Sequence, residues 1–254
     1  MLRISIEKKT LHFKQPAGTS RGVYTERDIW LLTMYDTCSP ENIGVGECAP
    51  LPDLSCDASE NYEKRLREIC NVVEQTGRID GSLLSPYPSM LFGLETAYLN
   101  MKNGRYLFDT PFSHGRCGIP INGLVWMGTA EEMNLRMEEK IKAGFSCVKL
   151  KIGAIDFESE LALVKSIRKR FSKDVIELRV DANGGFSPAE AMERLEVLAR
   201  YDIHSIEQPI RQKQWREMAR LCSTTPLPIA LDEELIGVNM KAMKEELLSV
   251  IKPQ

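Results

Sequence analysis

The chain has 254 residues, of which 33 are Lys or Arg and 36 are Asp or Glu, so its formal net charge is −3. Such a small charge gives no reason to expect binding to nucleic acid or to an anionic membrane, and a hydrophobic share of 43% is ordinary for a globular protein. Any attraction for an anionic small molecule must therefore be local.

The seven cysteines are scattered and form neither a CxxC pair nor the spacing of a zinc site. Free thiols of this kind are typical of a reducing compartment. The first residues, MLRISIEKKT, lack the apolar stretch of a signal peptide, and no apolar run is long enough to span a membrane. We therefore expect a cytoplasmic protein.

β-rich stretches open the chain and helices follow them. Residues 2–48 contain three such stretches, separated by glycine, proline and polar residues, and they predict an antiparallel meander. Apolar residues then recur at helical spacing in two segments, one over Tyr62–Val73 and one from Pro88 to Gly104. This order predicts an α+β domain over residues 1–110, with a three-stranded meander followed by helices.

Alternation of short strands with helices begins near Cys117. Six apolar runs are predicted as strands: PINGLVW, CVKLKI, VIELRV, HSIE, PIAL and SVIK. Apolar strands that alternate with helices predict a parallel sheet that is buried on both faces. We expect residues 117–254 to form a (β/α) barrel domain that is incomplete at its C-terminus, after the sixth strand.

Three acidic residues follow successive apolar runs at nearly one interval. Asp181, Glu207 and Asp232 are separated by 26 and 25 residues, about one strand-plus-helix unit of a (β/α) barrel. A single acid of this kind is more often a loop residue or a charge at a helix terminus, but chance charges would not keep one period across three strands. Because the carboxyl ends of parallel strands meet at one edge, the three carboxylates predict a cradle of hard oxygen ligands for a metal ion.

Lysines flank this cradle. Lys149 and Lys151 lie two apart in CVKLKI and therefore share one face of the strand, and Lys252 lies in SVIK. A Lys-x-Lys pair is more often the solvated face of an edge strand, but here the alternate residues are apolar and belong on the helix-covered face. The two lysines then point into the barrel, where the acids serve as partners for their charge. The pattern predicts a catalytic site.

These motifs resemble those of the enolase superfamily, in its muconate-cycloisomerase-like branch. The branch pattern occurs here in order as Lys149–Lys151, Val180–Asn183, Glu207–Pro209, Asp232–Glu233 and Lys252–Pro253. Within the branch, the segment GECAPLP with the following Leu54 and Ser55 is most similar to the o-succinylbenzoate synthases of menaquinone biosynthesis. The segment departs from their pattern at Asp53, where glycine is usual.

The resemblance implies a fold, a cofactor and a set of ligands. An α+β capping domain would precede a TIM-like barrel of the (β/α)7β type. Asp181, Glu207 and Asp232 would bind Mg²⁺, with Mn²⁺ as a substitute, and Asn183 and Glu233 would orient the groups around it. Thr19, Ser20 and Arg21 would belong to a loop over the substrate. The ligand would be a small anionic carboxylate, and neither nucleic acid nor a membrane is expected as a partner.

The reaction implied by the resemblance is the syn dehydration of 2-succinyl-6-hydroxy-2,4-cyclohexadiene-1-carboxylate to 2-succinylbenzoate through an enediolate. Lys151 would remove the proton alpha to the carboxylate and then protonate the departing hydroxide. Lys149 would neutralise the carboxylate and help to keep Lys151 neutral. Lys252 would stabilise the enediolate from the opposite face.

Other readings stay open at this point. An N-succinylamino-acid racemase or dipeptide epimerase would use the same lysines, with Lys252 as a second base, and a cycloisomerase agrees less well with GECAPLP. An inactive fragment or a non-catalytic binding domain would keep the motifs without the activity. Because the family continues through a seventh and an eighth strand, we expect roughly 60 to 100 further residues in the native protein, and we expect the 254 residues made alone to be insoluble or inactive.

Overall fold

The computed structural model describes residues 1–19, 22–126, 128–153 and 155–254. The chain divides into two compact units, of which the first holds residues 1–17 and 22–119 and the second holds residues 120–254. Each unit has its own cluster of buried apolar side chains. None of the helices in the described ranges is long and apolar enough to cross a membrane.

The first unit is an antiparallel sheet with two helices. Its elements are β1 (Leu2–Thr19), β2 (Gly22–Asp36), β3 (Ser39–Cys48), α1 (Tyr62–Thr76) and α2 (Pro88–Asn103). The strands lie in the order β1-β2-β3, and β2 pairs with β3 in antiparallel register, with Trp30 opposite Cys48. The antiparallel sheet and both helices predicted from the sequence are confirmed.

Two glycines allow α2 to lie directly on β3. A Cβ atom added at Gly46 would fall 1.9 Å from the carbonyl oxygen of Gly93, and one added at Gly44 would fall 1.9 Å from that of Ala97. No side chain fits into such a gap. Gly46 begins the GECAPLP segment, so part of that motif is explained by helix–sheet packing.

The second unit alternates strands and helices. Its strands are β4 (Gly123–Val125), β5 (Cys147–Lys151), β6 (Glu177–Asp181), β7 (Ser205–Glu207) and β8 (Ile229–Ala230). Its helices are α3 (Ala130–Lys142), α4 (Phe157–Arg170), α5 (Pro188–Ala199), α6 (Trp215–Thr224), the short 3-10 helix Glu233–Leu235 and α7 (Lys241–Ile251). The strands form one sheet in chain order, and every neighbouring pair is parallel. The predicted parallel sheet is confirmed.

Alternation along the strands separates an apolar face from a polar one. Val148 and Leu150 of β5 are fully buried, as are Leu178 and Val180 of β6, and they belong to the core that contains the helices. The residues between them, including the two lysines of β5, are half-buried on the other face. The apolar face holds the helices in place, which leaves the opposite face free for polar chemistry.

The prediction of a sixth strand at SVIK is wrong. Residues 241–251 form α7, and Lys252 is its C-cap residue with φ 52° in the left-handed region. Leu247 and Ile251, which lie four residues apart, are both buried in the core, whereas Val250 is 42% exposed. Burial at i and i+4 is the pattern of a helix, while a strand would bury alternate residues. In the described part of the chain the parallel sheet therefore has five strands.

Candidate active site

Strand register brings a lysine and two acids to one level of the sheet. Lys151 lies beside Asp181, Asp181 lies beside Glu207, and Glu207 lies beside Ala230. These positions are the carboxyl ends of the parallel strands β5, β6, β7 and β8, where the active sites of (β/α) barrels are found. Asp232 follows two residues beyond Ala230, in the segment that begins the 3-10 helix.

Both lysine ammonium groups contact the buried Asp181 carboxylate. The Lys151 Nζ atom lies 2.5 Å from Oδ2 of Asp181 and donates to Oδ1 of Asn183 at 3.0 Å. The Lys149 Nζ atom lies 3.3 Å from the same Asp181 oxygen and 2.7 Å from Oε2 of Glu207. Asp181 is fully buried, and the lysine side chains are only about one-fifth exposed. The four charged groups therefore form one network.

Burial and neighbouring charges change the proton affinities in this network. Burial alone would lower the pKa of Lys149, but the hydrogen bond to Glu207 and the charges of Asp181 and Glu207 outweigh it and raise that pKa above its ordinary value. Burial also raises the pKa of Glu207, and the carboxylates of Asp181 and Asp232 add to the increase against the opposing effect of Lys149. Burial is therefore the main cause of the raised pKa of Glu207.

Asn183 connects this network to the 3-10 helix. Its side-chain amide donates to Oε1 of Glu233 at 2.9 Å, and its backbone N–H donates to Oδ1 of Asp181 at 3.0 Å. Asn183 has φ 45°, a left-handed conformation that asparagine adopts more readily than most residues. Glu233 is buried, and its second oxygen, Oε2, has no hydrogen-bond partner among the described residues.

The chemical types of donor in this site, which are carboxylates, suit a hard divalent cation. Asp181 and Glu207 already share one cation, the Lys149 ammonium, and burial is the main cause of the raised pKa of Glu207. Carboxylate oxygens without thiolates are the ligands that Mg²⁺ prefers. Asp232 is exposed and influences Glu207 through its charge. Across the described ranges, no three His, Cys, Asp or Glu side chains lie close enough together to hold a metal ion.

Comparison with known proteins identifies the family. The family described as enolase C-terminal domain-like matches residues 132–253. An o-succinylbenzoate synthase of Desulfotalea psychrophila is 40% identical in an alignment that covers 100% of this chain and 77% of that protein. The chain belongs to the o-succinylbenzoate synthase family of the enolase superfamily. The L-Ala-D/L-Glu epimerase of Bacillus subtilis is a more distant relative, 24% identical over 92% of this chain and 67% of that protein.

Solved structures of related proteins have the same fold as this chain. The crystal structure of MenC from Desulfotalea psychrophila matches with a TM-score of 0.80 and 36% identity, covering 100% of this chain and 76% of that one. The o-succinylbenzoate synthase from Thermosynechococcus elongatus, which was solved with Mg in its active site, matches with a TM-score of 0.75 at 23% identity and covers 97% and 72% of the two chains.

Four of the predicted site residues lie apart from the network or outside the described residues. Lys252 is the exposed C-cap residue of α7, so its role rests on the Lys-Pro motif alone. Thr19 ends β1, and Ser20 and Arg21 lie outside the described residues, so the substrate loop stays a prediction.

Two residues at the site are not predicted by the sequence analysis. Gln208 is fully buried next to Glu207, and Glu234 is buried next to Glu233. Gln208 belongs to the Glu-Gln-Pro motif, and its place there was the one available signal. Glu234 has no signal of its own, because a third consecutive acid after Asp232 resembles an ordinary surface charge.

Proposed function

We propose that the protein dehydrates 2-succinyl-6-hydroxy-2,4-cyclohexadiene-1-carboxylate to 2-succinylbenzoate, as a hydro-lyase. The observation that carries this proposal is the network in which Lys149 and Lys151 meet Asp181 and Glu207 at the carboxyl ends of neighbouring strands. The 40% identity with an o-succinylbenzoate synthase over the whole chain gives the network its substrate class.

The proposed barrel is of the (β/α)7β type, and the described parallel sheet is a part of it. Three features support this assignment. The five strands are parallel and lie in chain order, one of their faces is covered by helices, and the opposite face carries the charged residues. In such barrels the charged interior at the carboxyl ends of the strands is the catalytic end.

The difficulty of the reaction lies in its charge. Removing the proton alpha to a carboxylate places a second negative charge on a group that is already anionic. In the proposed site Asp181, Glu207 and Asp232 would hold Mg²⁺, with Mn²⁺ as a substitute, and the bound cation would supply Lewis-acid stabilisation of the negative charge that develops on the carboxylate. The Lys149 ammonium is proposed to neutralise the substrate carboxylate, and its raised pKa keeps it charged at neutral pH.

Lys151 is proposed to move both protons of the reaction. As a neutral amine it takes the alpha proton, and the electron pair of the broken C–H bond enters the enediolate. When the enediolate collapses, the C–O bond to the hydroxyl group breaks, and the Lys151 ammonium gives its proton to the departing hydroxide to form water. One group can do both because the two events occur on the same face of the ring. Asp181 and Asn183, which contact its Nζ atom, hold it in place.

Lys252 is proposed to stabilise the planar enediolate from the opposite face, on the evidence of the Lys-Pro motif. Asn183 and Glu233 are proposed to orient the ligand set, which their mutual hydrogen bond and the Asn183 contact with Asp181 support.

The test is an assay of the full-length protein with two substrates in heavy water. With the cyclohexadiene carboxylate, formation of 2-succinylbenzoate is expected, and Lys151→Ala should abolish it. Lys173→Ala, which removes a surface lysine whose partner Asp202 is also exposed, is the matched control and should keep full activity. Racemisation of an N-succinyl amino acid with alpha-deuteration, without dehydration of the first substrate, would overturn the assignment in favour of a racemase.

A further inference from the structure

The side chain of Gln208 links the end of β7 to the segment that carries Asp232 and Glu233. Gln208 is fully buried, and its Oε1 atom accepts hydrogen bonds from the backbone N–H groups of Asp232 and Glu234, both at 3.2 Å. Its Nε2 atom donates to the carbonyl oxygen of Ile210 at 2.9 Å and to Oε2 of Glu234 at 3.4 Å. The amide group is therefore hydrogen-bonded through both of its polar atoms.

The backbone of Gln208 is held just as firmly. Its N–H donates to the carbonyl oxygen of Ala230 at 2.9 Å, and its own carbonyl oxygen accepts from Gly184 at 2.7 Å. Its φ of 41° lies in the left-handed region, which is unfavourable for a residue with a long side chain and persists only where the surroundings enforce it. Such strain is found mostly at functional sites, where it aims a particular group.

The amides that Gln208 binds belong to the start of the 3-10 helix. The first N–H groups of a helix lack partners within it, and the side chain of Asp232, the N-cap residue, makes no capping hydrogen bond here. Gln208 takes over this capping role from the neighbouring strand. The Asp232 carboxylate therefore makes no capping hydrogen bond, while the backbone on both sides of Glu233 is held by hydrogen bonds to Gln208.

The second oxygen of Glu234 extends the connection. Its Oε1 atom accepts from the backbone N–H of Lys213 at 2.7 Å, and Lys213 itself has φ 70°. The loop after β7 and the segment after β8 are thus joined through Gln208 and Glu234, while the Glu207 carboxylate next to Gln208 projects into the lysine network.

We propose that Gln208 is a positioning residue that sets the affinity of the site for its divalent cation. It does so by fixing the Asp232–Glu234 backbone relative to Glu207. The carboxylates of Glu207 and Asp232, which lie at the ends of neighbouring strands, are thereby positioned to bind one ion. The proposal rests on the proposed function, since that function requires the cation. Gln208 itself touches neither the substrate nor the cation.

Two substitutions separate the side chain from the backbone conformation. Gln208→Asn keeps the amide and tolerates positive φ better than glutamine does, but it is one methylene group too short to make the same bonds. Gln208→Met keeps the length and loses all four hydrogen bonds. Gln214→Met is the matched control, because Gln214 precedes α6 in the same loop and its side chain makes one hydrogen bond among the described residues, to the carbonyl oxygen of Arg211.

Two measurements on each protein test the proposal. Binding of Mn²⁺ is titrated by calorimetry well below the melting temperature, and hydrogen exchange of the Asp232 and Glu234 amides is followed by NMR. Both Gln208 variants should bind Mn²⁺ about 10- to 100-fold more weakly, as is typical when a group that orients a ligand is lost, and the two amides should exchange faster. Gln214→Met should bind Mn²⁺ as the unchanged protein does.

The outcomes are distinct. Faster exchange of both amides with Mn²⁺ affinity unchanged within twofold would overturn the proposal, because the segment would then be loosened without consequence for the ion. If Gln208→Met does not fold, Gln208→Asn alone decides between these results. Absence of Mn²⁺ binding to the unchanged protein, with both amides still protected, would refute the proposed function instead.

Discussion

Removing the Lys149 ammonium tests whether this group balances the negative charge of the Asp181 and Glu207 carboxylates. Lys149→Met keeps the apolar stem of the side chain and leaves Asp181 and Glu207 without the cation they share. Asp181 is fully buried, and loss of one partner of a buried ion pair costs about 3–5 kcal/mol. Because Lys149 and Glu207 are each about one-fifth exposed, solvent screening reduces this, and we expect a loss of about 2–3 kcal/mol in the free energy of unfolding at pH 7.

The free energy needed to protonate Glu207 sets an upper limit on the loss of stability in Lys149→Met. Glu207 can escape its unfavourable charge by binding a proton, and for a carboxyl group with an ordinary pKa of 4.5 this costs about 3.4 kcal/mol at pH 7 and about 0.7 kcal/mol at pH 5. In the variant the folded-state pKa of Glu207 rises further than it already has. A raised folded-state pKa gives stability that is present at low pH and is lost as the pH rises through that pKa. The cost of the substitution should therefore shrink to below about 1 kcal/mol at pH 5.

The assay is urea denaturation of the protein and of Lys149→Met at pH 5, 6 and 7, without divalent cations. Lys173→Met is the control, since Lys173 and its partner Asp202 are both more than half exposed and such pairs contribute less than about 1 kcal/mol. A cost for Lys149→Met below about 0.5 kcal/mol at pH 7, or one that does not change with pH, would refute the charge network as described here.

Three further results are expected. Exhaustive chelation should abolish dehydration and Mg²⁺ should restore it, whereas turnover that persists after chelation would exclude the proposed cofactor. Glu207→Gln should weaken Mn²⁺ binding by at least about tenfold in calorimetry, because one ligand charge is lost; equal affinity would remove Glu207 from the ligand set. Gly46→Ala should lower the stability of the first unit by at least about 2 kcal/mol, since its Cβ would meet a backbone carbonyl oxygen at 1.9 Å, whereas Gly81→Ala, which has open space around it, should change stability by less than about 0.5 kcal/mol in the same thermal melts.

Local periodicity was sufficient for most of the fold. The apolar stripes of α1 and α2 recur at helical spacing, and both helices appear where the sequence predicts them. The alternation in CVKLKI likewise distinguishes a buried face from a polar one, and Val148 and Leu150 are indeed buried. These signals are readable because each depends on residues only two to four positions apart.

The strand predicted at residues 249–252 is wrong because the structure there depends on packing rather than on local periodicity. A short apolar run such as SVIK is compatible with a strand and with the last turn of a helix, and only the packing partner decides. Leu247 and Ile251 pack together into the core of the second unit, and that contact extends the helix to Ile251. The packing partner of α7 includes α6, which lies outside the run itself, so the four residues of SVIK do not show the difference.

In the candidate site, too, some residues are predictable from their side-chain type and others are not. Asp181 and Glu207 were predictable because a βα period places acids at successive strand ends, and the register confirms that they are neighbours. The role of Gln208 was not predictable, because its main partners are the backbone N–H groups of Asp232 and Glu234, and a backbone amide is present in every residue except proline. The sequence shows which carboxylates are available to a metal ion. The groups that orient these carboxylates can act through backbone atoms, which are the same in nearly every residue type. The position of Asp232, two residues beyond the end of β8, is therefore controlled by contacts that only the folded chain displays.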